Sequence, residues 1–182
     1  YEYEINTLAK EESWRLFRII GEFVEGFDSL ADSSPAVTIY GSARLSPASD
    51  LYAQTEDIAF RIGQLGFSVI TGGGPGVMEA ANKGARKAGV KSVGLNIVLP
   101  EEQVSNHYAT RTITFNHFFT RKVMLVKYAT AFIIMPGGLG TLDELTEVIT
   151  LMQTGKMLPF PVILYDSEFW DGLIDWMKRV VL

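Results

Sequence analysis

The stretch Ala131-Phe132-Ile133-Ile134-Met135-Pro136-Gly137-Gly138-Leu139-Gly140-Thr141-Leu142-Asp143-Glu144 decides how this chain is read. Its first five residues form a short apolar run that stops at a proline, the pattern of a buried strand. Beyond the glycines, Leu142, Leu145, Val148, Ile149 and Met152 recur at helical spacing, which predicts a helix over residues 142–153. A strand that turns through three glycines into a helix leaves backbone N–H groups bare at the positive end of the helix dipole. That arrangement suits a phosphate. Glu144 would sit in the first helical turn, so an anion site and a candidate catalytic carboxylate occupy one segment. Thr141 and Glu144 also have the T-x-x-E spacing of a capping box, which explains both residues without a ligand.

The alternation of strand and helix extends outward from this segment. Residues 6–30 read as a long amphipathic helix with Trp14, Phe17, Ile20, Phe23, Val24, Phe27 and Leu30 on its apolar stripe. Asp32-Ser33-Ser34-Pro35 ends it. Strands are predicted at residues 36–40, 67–71, 92–98, 111–115, 131–135 and 161–165. Further helices are predicted at 49–65, 77–88, 118–128 and 169–182, with an irregular stretch over 99–109. This order predicts an α/β, Rossmann-like three-layer fold: a mostly parallel sheet with helices on both faces. Residues 1–182 are expected to form a single nucleotide-binding domain, with 6–30 as an N-terminal helical extension. In such sheets ligands bind at the carboxyl ends of the strands. Three loops lie there: Gly41-Ser42-Ala43-Arg44, Gly72-Gly73-Gly74-Pro75-Gly76, and the loop from Pro136 to Thr141.

Composition narrows the chemistry. With 182 residues, 47 % of them hydrophobic and 20 % charged, the chain can bury one core without staples. It has no cysteine, which removes disulfides, cysteine nucleophiles and thiolate metal sites. His107 and His117 stand apart without a pattern of acidic partners, so no metal site is expected. The net charge of −5 speaks against general nucleic-acid binding. No apolar run approaches the roughly 18 residues of a membrane span, and Tyr1-Glu2-Tyr3-Glu4 lacks a basic leader, so a cytoplasmic location is expected.

The glycine loops fail two common nucleotide patterns. Neither runs into the Gly-Lys pair of a P-loop, and G-x-G-x-x-G fails whether it starts at Gly72 or at Gly74. Both failures favour a smaller ligand, such as a monophosphate. The loop from Gly72 to Gly76 reads either as a tight turn or as a place of close ligand approach, with Gly73 and Gly74 as its binding positions. Glu79 near a helix start is favourable to the dipole in any case. Ser42 could cap its local turn, and Arg121 could be an ordinary solvated helix residue.

Gly72-Gly73-Gly74-Pro75-Gly76-Val77-Met78-Glu79-Ala80, taken with the Pro136–Glu144 segment, resembles the Lonely Guy family of nucleoside 5′-monophosphate phosphoribohydrolases, long labelled lysine decarboxylases. The signature P-G-G-x-G-T-x-x-E is matched at every fixed position. Arg121-Lys122 and Tyr40-Gly41-Ser42 match as well, and the likeness covers about residues 37–165. The resemblance implies a cofactor-free homodimer, or a higher homo-oligomer, that hydrolyses the N-glycosidic bond of AMP or an N6-modified AMP to free base and ribose 5-phosphate. On it, Gly137, Gly138, Gly140, Thr141 and Ser42 would hold the phosphate, with Gly73, Gly74 and Lys122 also on the substrate. Glu144 would orient or deprotonate water and stabilise an oxocarbenium-like ribose. Arg121 would hold the nucleotide or assist departure of the base, and Glu79 would bind ribose hydroxyls. A contrasting reading is a carrier of a phosphate-bearing cofactor, like the molybdenum-cofactor carriers, which needs no catalytic carboxylate. A pyridoxal-dependent decarboxylase is disfavoured, because nothing singles out a Schiff-base lysine.

Overall fold

The computed structural model describes residues 2–99 and 105–181, with side chains described from residue 13 onward. Six strands lie among these residues: β1 (Ala36–Tyr40), β2 (Ser68–Thr71), β3 (Ser92–Ile97), β4 (Arg111–Phe115), β5 (Ala129–Ile134) and β6 (Val162–Leu164), with β4 following β3 without a described helix between them. The helices are α1 (Glu2–Leu30), α2 (Asp50–Gln64), α3 (Val77–Lys87), α4 (Phe118–Lys127), α5 (Leu139–Gln153) and α6 (Ser167–Trp176). A π-helical turn, Met177–Val181, prolongs α6. Of the expected irregular stretch over 99–109, residues 100–104 lie outside the described residues, as does Leu182 of the expected last helix. No helix among the described residues is long and apolar enough to cross a membrane.

All strands pair in parallel, in the order β4-β3-β2-β1-β5-β6. The chain steps outward from β1 to β4, then returns to the far side of β1 to lay down β5 and β6. The direction of winding therefore reverses between β1 and β5, and the crevice beyond their carboxyl ends is where such a sheet binds ligands. Tyr40 is in register with Ile134, so the two chains leave the sheet side by side. Ser42 N–H donates to Pro136 O at 3.1 Å, and Val77 N–H donates to Ser42 O at 3.0 Å. These two bonds join the three predicted loops into one surface.

Strand alternation divides the core. Val37, Ile39, Val69 and Ile133 face Ala59, Val77, Ala81 and Ala85 of α2 and α3. Tyr40, Ile70, Phe132 and Ile134 face the opposite layer, built from Leu30, Met124, Leu125, Leu145, Val148 and Trp170 of α1, α4, α5 and α6. Every residue of β1 and β3 is buried, as expected of strands covered on both faces.

Two elements differ from expectation. The stripe on α1 splits: Leu30 is fully buried and Phe23 packs on the core, whereas Trp14 and Phe17 are 69 % and 66 % exposed, and Ile20, Val24 and Phe27 are also exposed. Among the described side chains, Glu22, Phe23 and Leu30 of the carboxyl half meet the body, and the helix packs on α4 and β4. Helix α5 begins at Leu139 rather than Leu142, because Gly138 takes the N-cap position and draws Leu139 and Gly140 into the first turn.

Candidate active site

The early start of α5 changes the meaning of Thr141 and Glu144. With Gly138 as N-cap, Thr141 falls at the third helical position and Glu144 in the second turn, not the first. No side chain caps the helix, so the capping-box reading does not apply. The first backbone donors of any helix have no partner within it. Here Gly138, Leu139, Gly140 and Thr141 line a cavity of about 710 Å³ at the winding reversal. Leu139 is 84 % exposed, so the amino end of α5 is open to approach.

Glu144 and Arg121 line the same cavity from two helices. Arg121, on the first turn of α4, is buried. Its Nε donates to Leu95 O at 2.6 Å, and Nη2 donates to Gly72 O at 3.4 Å. These bonds tie the guanidinium to the ends of β3 and β2. Nη1 stands 3.8 Å from Glu144 Oε1, which makes an ion pair without a close hydrogen bond. Burial raises the Glu144 carboxyl to about 7; Arg121 and Lys122 oppose that rise, while Asp143 and Glu147 add to it. A carboxyl that titrates near neutrality in a cleft is suited to taking a proton from water.

The other candidates are distributed around this pair. Ser42 lines the cavity, and its Oγ accepts the Arg44 N–H at 3.1 Å, which shapes the first loop. Gly137 lies beneath, with Thr141 Oγ1 filling the space where a Cβ would project. Lys122 is not among the cavity residues; its Nζ pairs with Asp143 at 2.9 Å and Glu147 at 3.4 Å, clasping α4 to α5. Glu79 is also outside the lining. It accepts the Tyr52 hydroxyl at 2.7 Å between α2 and α3. Gly72 and Gly73 face the protein itself, and Gly74 O accepts a hydrogen bond from Asn106 Nδ2. A Cβ on Gly72 would strike the Arg121 guanidinium, and Gly73, at φ +73°, would strike Asn96 Oδ1.

A buried polar network holds this second loop. Thr71 Oγ1 donates to Asn82 Oδ1 at 2.7 Å and accepts Gly73 N–H at 3.0 Å. Asn82 Nδ2 reaches Ser92 Oγ and Val93 O. Asn106 Nδ2 donates to both Gly74 O and Asn82 Oδ1. The sequence reading missed these asparagines, as well as Met78 and Ile97, which form an apolar wall with Leu99. Met78 sits one residue before the singled-out Glu79, so helical spacing from the glycine loop was the available signal. His107 is on an exposed loop, and His117 opens α4 with its ring against Glu22.

Residues 78–182 match the family model described as possible lysine decarboxylase. A cytokinin riboside 5′-monophosphate phosphoribohydrolase of Mycobacterium tuberculosis is 31 % identical over 141 residues, 74 % of this chain and 75 % of that protein. One from Mycobacterium marinum is 32 % identical over 117 residues, and the match spans 63 % of each chain. Among solved structures, the molybdenum-cofactor carrier protein of Chlamydomonas reinhardtii superposes with a TM-score of 0.57 at 21 % identity, covering 80 % of this chain and 86 % of that one. At that identity the likeness concerns the fold alone. The matched signature, the family model and the mycobacterial relatives together place this chain in the Lonely Guy family.

Proposed function

We propose that the protein is a nucleoside 5′-monophosphate phosphoribohydrolase acting on AMP or an N6-modified AMP. The observation that carries this reading is the meeting of Glu144 and Arg121, 3.8 Å apart, in a cavity rimmed by the uncapped amino end of α5. The phosphate would accept hydrogen bonds from the backbone at Gly138, Leu139, Gly140 and Thr141, with Ser42 opposite. A flat base would lie against Met78, Ile97 and Leu99, which present apolar surface to it. Water would add to C1′ as the bond to the base nitrogen breaks, its electron pair leaving with the base. Glu144 would take the proton from water and stabilise the cationic ribose, and Arg121 would offset charge on the departing base. The proton returns to the leaving nitrogen, giving free base and ribose 5-phosphate.

The test is incubation with AMP, isopentenyl-AMP, GMP and CMP, followed by chromatography of the products. Free base with ribose 5-phosphate, lost in Glu144→Gln, supports the reading. No base from any of the four rules it out. Tight retention of a pterin monophosphate without turnover would favour the carrier alternative, for which the shared fold with the Chlamydomonas protein is the support. For a pyridoxal mechanism, the cavity offers no lysine among the described residues.

Assembly as a homodimer is part of the same proposal. The exposed apolar face of α1, with Trp14, Phe17, Ile20 and Val24, supports it, because so much exposed apolar surface on one helix favours a partner. A molar mass in solution matching one chain would overturn this assembly.

A further inference from the structure

Glu22 is an acidic residue of α1 that points inward. It is only 8 % exposed, and its carboxylate gathers donors from the segment that opens α4. Oε1 accepts Asn116 N–H at 2.9 Å and Asn116 Nδ2 at 3.0 Å, and lies 3.1 Å from His117 Nδ1. Oε2 lies 2.5 Å from Thr120 Oγ1. Helix α4 needs this help, because its own N-cap, His117, makes no side-chain capping bond. A carboxylate at this end also meets the positive pole of the helix dipole. Burial would raise the Glu22 carboxyl, but the bonds from Thr120, Asn116 and His117 outweigh it and hold it at about 2. It is therefore ionised at neutral pH.

The turn that Glu22 holds is the turn that carries Arg121. Arg121 N–H donates to His117 O at 3.3 Å, so any shift of His117 is passed to Arg121. The guanidinium has little freedom to compensate, being bound to Leu95 O and Gly72 O. We infer that Glu22 is a positioning residue, through which the N-terminal helix sets the first turn of α4 and aims Arg121 into the cavity beside Glu144. The kinetic consequence rests on the phosphoribohydrolase reading; the geometric one does not.

The test compares Glu22→Ala with Glu22→Gln in the full chain. Glutamine keeps an acceptor for Asn116, and its amide can donate to Thr120 Oγ1. That hydroxyl then turns its proton to His117 O, 2.8 Å away. In Glu22→Ala, kcat is expected to fall about tenfold or more with KM changed by less than about twofold, since misaiming a group costs rate rather than phosphate binding. The acid limb of the pH profile is expected to move upward. Glu144 is faced by Arg121 and Lys122 of α4, by Asp143 and Glu147 of its own helix and by Tyr40 of β1; Lys122 is held by its pairs with Asp143 and Glu147, so the change acts through Arg121. Glu22→Gln is expected to restore both. An unchanged rate and pH profile in Glu22→Ala overturns the inference, and so does a glutamine variant as impaired as the alanine one.

A second measurement does not depend on turnover. The ¹⁵N NMR signal of the Arg121 Nε–H, assigned by its loss in Arg121→Lys, is expected to move in Glu22→Ala. It should stay in place in Glu22→Gln and in Glu25→Ala, which alters an exposed residue of the same helix. A signal unmoved in Glu22→Ala overturns the inference. A moved signal in a protein that releases no base defeats the hydrolase reading and leaves Glu22 as the residue that places Arg121.

Discussion

The two glycine loops, Gly72 to Gly76 after β2 and Pro136 to Gly140 after β5, look alike in sequence and differ in what approaches them. Around the first, the approaching groups belong to the protein. The Arg121 guanidinium fills the space beside Gly72, Asn96 fills that beside Gly73, and Asn106 hydrogen-bonds Gly74 O. Around the second, Gly138 and Gly140 have open space where a Cβ would stand, and the helix behind them has no side-chain cap. Glycine admits close approach in both places. In one the space is occupied by side chains that build the site; in the other it is open beside Gly138 and Gly140, while Gly137 packs against Thr141. Substitutions in the first loop should therefore read out in stability, and substitutions in the second in activity.

The largest effect is expected behind the open loop. Glu144→Gln should lower kcat/KM by about 10²–10⁴-fold, the range for losing a general base, with an unchanged circular dichroism spectrum. Leu139→Pro breaks the open loop more narrowly. Leu139 is the first helical position, where proline is tolerated, and it is 84 % exposed. The variant loses one backbone donor to the phosphate, so KM should rise about tenfold or more, as for a lost hydrogen bond to a charged group. Its melting temperature should hardly move.

The filled loop should show the reverse. Gly73→Ala forces a Cβ into a left-handed backbone at φ +73° and against Asn96, and should cost about 1–3 kcal/mol in denaturant unfolding. Gly138→Ala meets no neighbour and should leave that stability within about 0.5 kcal/mol. If the two alanine variants are equally destabilised, the contrast between the loops is wrong.

A pH series sharpens the chemistry of the open loop. Glu144 must be ionised to accept a proton, and burial places its carboxyl at about 7. Below that value kcat/KM should fall about tenfold per pH unit, levelling off above it. The linked stability has the opposite sign. The native carboxyl holds its proton at pH values where an unfolded one, near 4.5, has lost it, so this group's contribution is full below 4.5 and is lost as pH rises through about 7. Glu144→Gln should remove that part of the pH dependence of unfolding.

Much of this was legible in the chain itself. A short apolar run stopping at a proline marked β5, and period-3.6 stripes marked α1 and α5. Those signals are local, because a strand or helix buries a face defined by its own spacing. The signature P-G-G-x-G-T-x-x-E located the open loop and singled out Glu144 for the same reason. The start of α5 was less legible. T-x-x-E reads as a cap until Gly138 is seen to take that place.

What local pattern could not decide was partnership. Nothing near Gly72 in sequence announces that Arg121 will fill the space beside it, and nothing near Glu22 announces Asn116 and Thr120, 94 and 98 residues further on. Lys122 adjoins Arg121 in the chain but turns to Asp143 and Glu147, since neighbouring residues on a helix face different directions. The sequence by itself determined an α/β chain with a glycine turn into a helix and a carboxylate behind it, because backbone periodicity and glycine spacing act over a few residues. The tertiary structure alone decided which glycines the protein packs against and which stand beside open space, because that depends on what the return of the chain from β4 to β5 brings beside β1.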